Sequence, residues 1–144
     1  MHITLEADYA VRIVDALSRS SQRMEARAIA QVTGVTLRFS LKILRKLVAC
    51  GIVRSYRGAL GGYEMAVSPS EVSVYQVLEV IEGPLVLNRC LLEGTNCTRV
   101  PDKKCPYHYL FEHLTDQLKA QLSVVTFASV IESDKLAGVT VRTS

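Results

Sequence analysis

The sequence predicts a mainly α-helical chain that carries one small β-hairpin and ends in a long helix. Apolar residues recur every three to four positions through most of the 144 residues, which is the spacing of a buried helix face. Two short runs suited to β-strands flank a glycine-rich turn at residues 58–62. Hydrophobic residues make up 49% of the chain and charged residues 22%, so it can bury a core and is not of the disordered class.

Three helices are predicted in the first fifty residues. Thr4 is a suitable N-cap for the first helix, whose apolar residues keep helical spacing. The second helix covers roughly residues 25–33 and ends at Gly34. Thr36 then caps a third helix, which Gly51 closes. Two helices joined by a short turn that contains glycine form a helix-turn-helix.

Extended runs at residues 52–57 and 63–67 lie on either side of the glycine-rich turn and predict a β-hairpin. A helix-turn-helix followed by a basic hairpin is a winged helix-turn-helix domain. A fourth helix, capped by Ser70 or Ser73, completes this domain, which is predicted to span residues 1–84.

The rest of the chain is predicted as a loop, one long helix and a tail. Residues 85–105 have no clean period and form the loop; residues 106–133 form the helix; residues 134–144 are polar and form a flexible tail. A helix of about 28 residues is ~42 Å long, more than the small domain can cover. Its apolar stripe therefore predicts a homodimer. The residues of this predicted dimerisation stripe are Phe111, Leu114, Leu118, Leu122 and Val125.

Charge is distributed unevenly along the chain. The net charge is only +3, but residues 1–70 hold ten basic and five acidic residues, a net of +5. Between Glu25 and Glu64 there are seven basic residues and no acidic one. Such a stretch suits a surface that faces nucleic-acid phosphates, although a solvated basic face that binds nothing has the same composition.

Several classes of protein are not expected from this sequence. No apolar run approaches 18 residues, so no membrane-spanning helix is predicted. The N-terminal segment carries Glu6 and Asp8 where a signal peptide carries bases, so a cytoplasmic protein is expected. An enzyme is not expected either, because no phosphate-binding glycine loop, Ser-His-Asp set or paired carboxylates occur in a pocket-forming context.

Three of the four cysteines lie close together in the sequence. Cys90, Cys97 and Cys105 have the spacing C-x6-C-x7-C, and His108 follows as C-x2-H. Their neighbours are polar and cationic, so the thiols are expected to be exposed and reactive. Three soft ligands with a fourth from elsewhere fit an iron–sulfur cluster or a zinc site, and a thiol/disulfide switch is the alternative. Cys50, alone at the end of the third helix, is expected to be a small packed residue.

Four parts of the sequence resemble the IscR/NsrR/CymR family of winged helix-turn-helix transcription regulators. The resemblance covers residues 1 to about 130, and it is the combination of segments that makes it specific. The spacings between the loop cysteines are slightly longer than is usual in the family. The matching segments are residues 3–11, residues 29–35 with 44–47, the wing at 57–63, and residues 80–84 before the cysteine loop.

The resemblance implies a homodimer that binds a partly palindromic DNA operator under the control of an iron–sulfur cluster of the 2Fe–2S or 4Fe–4S type. Such a regulator would sense iron–sulfur status, nitric oxide or redox state. The three loop cysteines would hold the cluster. The fourth ligand would be His108, or Asp8 reaching across the dimer; Asp8 is equally an acid that stabilises the first turn of a helix.

The resemblance also implies which residues contact DNA. The third helix would enter the major groove, where Arg38 would hydrogen-bond guanine and Phe39 would contact a thymine methyl. Arg57 is the best candidate for the minor groove, unless the hairpin only positions the domain. Alternatives outside this class are a protein-interaction module or an iron–sulfur carrier. The full predicted DNA-binding set is Thr36, Arg38, Phe39, Lys42, Arg45, Lys46, Arg54, Tyr56, Arg57, Gly61 and Gly62.

Overall fold

The computed structural model describes residues 2–99 and 105–137. The described residues form six α-helices and one two-stranded antiparallel hairpin, so the predicted mainly α, winged helix-turn-helix fold is confirmed. Two short 3₁₀ turns lie at Pro69–Glu71 and Arg89–Leu91. The elements are α1 (Leu5–Arg19), α2 (Ala26–Thr33), α3 (Leu37–Ala49), β1 (Val53–Tyr56), β2 (Gly62–Met65), α4 (Val74–Glu82), α5 (Pro106–Val124) and α6 (Phe127–Ala137).

Hydroxyl caps begin three of these helices, because a side-chain oxygen accepts from a backbone N–H that has no partner inside the helix. Thr4 accepts from Ala7 N–H at the start of α1, and Thr36 accepts from Phe39 N–H at the start of α3. Ser73, rather than Ser70, is the N-cap of α4.

The core of the winged domain lies where α1, α2, α3 and α4 meet. Each helix contributes fully buried aliphatic side chains at helical spacing, and burying one such side chain stabilises the fold by about 1.5–3 kcal/mol. This packing fixes α3 with one face against the core and the other towards solvent. The buried residues include Ile13, Val14, Leu17, Ile29, Ile43, Leu44, Leu47 and Val77.

The wing is held from outside the hairpin as well as within it. Val53 pairs with Met65 at one end of the hairpin, and Tyr56 pairs with Gly62 at the other. Met24, just before α2, forms an isolated antiparallel bridge with Tyr63, with backbone hydrogen bonds of 2.9 and 2.8 Å. The connector between α1 and α2 therefore adds to the second strand of the wing.

The prediction of one continuous helix over residues 106–133 is wrong, because α5 ends at Val124 and α6 begins at Phe127. The backbone at this break bonds to the chain at the start of α4, where Val74 N–H donates to the Val125 carbonyl and Phe127 N–H donates to the Val72 carbonyl. β-branched residues at 124–126 favour such an interruption, since they lose side-chain freedom in a helix.

The chain after the break packs on the winged domain. Phe127 is 2% exposed and lies in the main core. On α6, the Asp134 carboxylate accepts from the Arg19 guanidinium of α1. Residues 134–137 belong to α6, so the prediction that they form part of a flexible tail is wrong. Residues 138–144 lie outside the described residues. None of the described helices is both long and apolar enough to cross a membrane.

Candidate functional site

The solvent face of α3 carries most of the residues predicted to read DNA. Arg38, Lys42 and Arg45 lie opposite the buried side of the helix and are exposed. Phe39 is 41% exposed and packs edge-on against Tyr9 of α1, with 5.9 Å between ring centroids. α1 therefore supports the exposed aromatic residue at the start of α3.

Two lysines of α3 are bound by an acid that lies outside the acid-free stretch. Lys42 Nζ lies 3.1 Å from Glu6 Oε2, and Lys46 Nζ lies 2.7 Å from Glu6 Oε1. The hydrogen bond from Lys46, opposed by partial burial and helped by Lys42, lowers the pKa of Glu6. Sequence reasoning missed this contact, because the packing of α1 on α3 brings together residues about forty positions apart.

Five other bases of the acid-free stretch form no ion pair with a carboxylate in the part of the chain that the structure describes. All five are exposed, so their charges face solvent. Together they leave a cationic surface on α2, α3 and the β1 side of the wing. These residues are Arg27, Arg38, Arg45, Arg54 and Arg57.

The side chains at the base of the wing are tied together. The Tyr56 hydroxyl donates to Glu64 Oε1 at 2.6 Å and accepts from Arg54 at 3.4 Å. The hydrogen bond from Tyr56 lowers the pKa of Glu64, and the same hydroxyl raises the pKa of Arg54. Arg23 stacks on the Tyr56 ring with its guanidinium carbon 3.3 Å from the centroid, and its Nε lies 3.6 Å from Glu64 Oε2. Nothing in the sequence pattern indicated a role for Arg23.

The two wing glycines are required by local packing. A Cβ on Gly62 would lie 2.8 Å from the Met24 carbonyl oxygen, and its φ of +136° is a conformation that other residues rarely adopt. A Cβ on Gly61 would lie 2.6 Å from the Tyr56 carbonyl oxygen. Close backbone contact within the wing therefore accounts for both glycines without any contact to DNA.

One cavity of about 630 Å³ is lined by all three loop cysteines and by His108. Cys90 lies in the 3₁₀ turn that begins the loop, and its N–H donates to Asn88 Oδ1 at 3.2 Å. Cys105 is the N-cap residue of α5, and His108 lies in the first turn of that helix. The folded chain thus brings four potential ligand side chains to the walls of one space.

The burial of these cysteines differs from the sequence prediction. Cys105 is 6% exposed, and Cys90 and Cys97 are half-buried, so the expectation that all three are exposed is wrong. Of the cations predicted beside the cysteines, Arg89 lines the cavity, and Lys103 and Lys104 lie outside the described residues. Arg99 also lines the cavity and lies over the Tyr107 ring at 4.9 Å.

The two candidates for a fourth ligand lie in different places. His108 lines the cavity, whereas the Asp8 carboxylate lies on α1 and contacts the Arg12 guanidinium at 2.7 Å. Within residues 2–99 and 105–137, no three Cys, His, Asp or Glu side chains lie close enough together to hold one metal ion. A single protomer therefore groups His108, and not Asp8, with the cysteines.

Cys50 has no part in this cavity. It is the C-cap of α3 and is exposed, so the expectation of a packed residue is wrong. Its thiol donates to the Leu47 carbonyl at 3.2 Å. Its neighbours Ala49 and Gly51 are exposed as well, so the end of α3 lies in solvent.

The stripe predicted for dimerisation lies along α5. Leu114 and Val125 are exposed, and Phe111, Leu118 and Leu122 are half-buried. Thr115, which lies beside the half-buried Phe111, Leu118 and Leu122 on the helix surface, is buried and accepts from Leu87 N–H at 3.2 Å, which ties the start of the cysteine loop to this helix. Further exposed apolar side chains on α5 are Tyr107, Tyr109, Leu110 and Val124.

The chain is similar to known transcription regulators over nearly its whole length. The family described as Rrf2, iron-dependent transcriptional regulator, matches residues 3–133. An HTH-type transcriptional regulator of Mycobacterium tuberculosis is 32% identical over 141 residues, covering 96% of this chain and 81% of that protein. IscR of Cronobacter sakazakii is 26% identical, covering 99% of this chain and 87% of that one.

Two solved structures have the same fold. T. potens IscR has a TM-score of 0.78 at 20% identity, with 97% of this chain and 93% of that chain covered. CymR, the global cysteine regulator of B. subtilis, has a TM-score of 0.74 at 21% identity, with 92% and 98% covered.

Proposed function

The chain belongs to the Rrf2 family of transcriptional regulators, and from this premise we propose that it is a homodimer whose binding to a partly palindromic DNA operator is controlled by an iron–sulfur cluster at its loop cysteines. Its activity is DNA-binding regulation rather than catalysis. The signal would be iron–sulfur status, nitric oxide or redox state.

The observation that carries this proposal is the single cavity lined by Cys90, Cys97, Cys105 and His108. Thiolates are the usual ligands of iron–sulfur clusters, and a histidine replaces a cysteine in some of them. The donor set therefore fits the group in its chemistry. A bound cluster would supply a redox-active centre, and the three thiols with His108, or with Asp8 of the partner protomer, would hold it.

On the DNA side, we assign α3 to the major groove. The support is its exposed face, which carries Arg38 and Arg45 without acidic partners in the described part of the chain. Arginine can bond guanine through two hydrogen bonds, and cations along the rest of the surface would neutralise phosphates. Arg57 at the end of β1 would reach the adjacent groove or backbone.

The position of the cysteine loop suggests how the two sites would communicate. The loop connects α4, which packs in the core of the winged domain, to α5, which carries the proposed dimer stripe. Holding a group between these helices would fix how the two winged domains of a dimer lie relative to each other. The two half-sites of an operator lie about one turn of DNA apart, so a small rotation of one winged domain relative to the other would change operator affinity.

The test is anaerobic purification of the full chain, with a visible absorption spectrum and measurement of iron and acid-labile sulfide. We expect a coloured protein whose colour and iron are lost in Cys97→Ala but kept in Cys50→Ala. Cys50 is the matched control, since it is a cysteine of the same chain outside the cavity. A colourless wild-type protein that contains zinc would contradict the cluster.

A second candidate keeps DNA binding but replaces the cluster with a thiol/disulfide switch. This candidate is favoured because, among the described residues, no three Cys, His, Asp or Glu side chains lie close enough together to hold one metal ion. The fold is shared with Staphylococcus aureus CymR, one of whose solved structures is of an oxidized form. This alternative would be established if the wild-type protein were colourless and free of metal and its operator affinity changed on oxidation. The operator affinity of Cys97→Ala should then not change on oxidation.

A further inference from the structure

A single carboxylate bridges α1 and two lysines of α3. Glu6 accepts from Lys42 through Oε2 at 3.1 Å and from Lys46 through Oε1 at 2.7 Å, so both of its oxygens are engaged. The Glu6 side chain is only 23% exposed, whereas that of Lys42 is 55% exposed. In the described part of the chain, this is the only acid that forms an ion pair with α3.

The first turn of α1 holds this carboxylate in position. The Thr4 hydroxyl caps the helix, and the Thr4 N–H donates to Glu82 Oε1 at the end of α4, at 2.8 Å. Glu6 follows two residues later. Its location beside α3 is therefore set by two fixed contacts and not by a mobile terminus.

The bridge lies at the edge of the surface assigned to DNA. Lys42 is on the outward face of α3 with Arg38 and Arg45, and Lys46 is on the flank towards α1. A lysine that is already neutralised by a carboxylate releases fewer counterions when a phosphate approaches. A carboxylate at this edge also repels phosphate, whatever the base sequence.

We propose that Glu6 is a specificity-determining residue, which weakens sequence-independent binding by withholding Lys42 and Lys46 from the phosphate backbone of double-stranded DNA. Base contacts from Arg38 and Arg45 then make up a larger share of the binding free energy. A like-charge element that works against the wrong partners is a general route to specificity. The inference rests on the assignment of α3 to DNA in the proposed function.

The experiment compares Glu6→Gln with Asp15→Asn in the full chain. Asp15 is the matched control, because it lies on the same helix and its ion pair is with Arg19, away from α3. Both variants change the net charge by one unit. The probes are a duplex selected from a randomised library by the wild-type protein and a scrambled duplex of the same composition, each titrated between 50 and 200 mM salt.

For Glu6→Gln we expect the slope of log affinity against log salt to steepen by about 0.9 for each additional phosphate neutralised. One such contact corresponds to roughly eightfold tighter binding at 0.1 M salt. The gain should be larger on the scrambled duplex, because no base contacts fix the register of α3 there and the released lysines are free to reach the nearest phosphates, so the ratio of the two affinities falls. Asp15→Asn should leave slope and ratio as in the wild type.

Lys46→Gln provides a second measurement, and its effect in the chain that keeps Glu6 does not depend on how Glu6→Gln folds. In the chain that keeps Glu6, Lys46→Gln should flatten the slope of log affinity against log salt by clearly less than 0.9. In the Glu6→Gln chain, the same change should flatten this slope by about 0.9. The proposal would be overturned if Lys46→Gln flattened the salt slope by about 0.9 both with Glu6 and with Glu6→Gln. It would also be overturned if Glu6→Gln had the same salt slope and the same affinity ratio as Asp15→Asn. A wild-type protein that shows no salt-dependent binding to any duplex would instead refute the assignment of α3.

Discussion

At the scale of single residues, side chains far apart in sequence hold the predicted DNA-binding groups in place. Arg23 stacks on Tyr56, and Tyr56 bonds Glu64 across the hairpin. Glu6 similarly holds Lys42 and Lys46. The bases of α3 and the wing could be predicted from an acid-free stretch, but their partners could not, because periodicity and spacing carry no information on contacts made between elements.

Replacing Arg23 with Ala should loosen the wing while the helical core stays folded. The loss of a cation stacked on an aromatic ring is expected to cost about 0.5–2 kcal/mol. Amide hydrogen exchange at Met24 and Tyr63, which bridge the connector and β2, should become faster, and DNA affinity should fall. Arg27→Ala is the control for charge alone, since Arg27 is exposed and pairs with no acid among the described residues. Equal exchange in the two variants would contradict a bracing role for Arg23.

Gly62→Ala should destabilise the chain more than Gly58→Ala. Both glycines have positive φ, +136° and +93°, but only at Gly62 would the new Cβ meet backbone, 2.8 Å from the Met24 carbonyl oxygen. Backbone strain of this kind costs of order 1–3 kcal/mol, and the clash at Gly62 adds to it. Urea unfolding measures both variants; identical losses would show that the contact with Met24 does not matter.

At the scale of elements, the sequence period predicted every helix of the winged domain but missed the break after α5. The apolar spacing continues through residues 124–127, so a helical pattern alone gives no reason to stop. The break exists because the backbone at Val125 and Phe127 bonds to the chain at the start of α4, and because Phe127 is buried in the core. Both of these causes are tertiary, and the β-branched residues at 124–126 only favour the break.

Phe127→Ala should therefore unfold more readily than any surface change on the same helix. Removing a buried aromatic side chain costs about 3–5 kcal/mol, and here it would also release α6 from the winged domain. Leu136→Ala is the control, because Leu136 is 84% exposed and should change stability by no more than about 0.5 kcal/mol. Urea denaturation compares the two variants, and a small loss of stability in Phe127→Ala would mean that Phe127 does not anchor α6 to the winged domain.

At the scale of the whole molecule, α5 carries apolar side chains that are exposed in the described part of the chain. Leu114 is exposed, as are Val125 just after the helix and Tyr107 and Tyr109 at its start. A second copy of the chain remains the partner we propose for this stripe. The cysteine cavity lies at the same end of α5, so dimer and sensor would share one helix.

Leu114→Glu should weaken the dimer, because it puts a charge into the proposed interface. A residue at the centre of an interface contributes about 2 kcal/mol or more, so the dissociation constant should rise roughly 30-fold. Leu136→Glu places the same charge on an exposed position of α6, outside the stripe, and should leave association unchanged. Sedimentation velocity across a dilution series distinguishes the two; equal association of both variants would exclude this face of α5.

The central claim is that the cavity at Cys90, Cys97 and Cys105 controls DNA binding by α3. The most direct measurement is the affinity of the anaerobically purified protein for its selected duplex, at fixed salt, before and after iron is removed by a chelator. We predict that wild type and Cys50→Ala change affinity by a factor within the 5–150-fold range typical of coupled sites, whereas Cys97→Ala stays dimeric and does not respond. Equal wild-type affinity with and without iron, together with wild-type binding by Cys97→Ala, would contradict the claim.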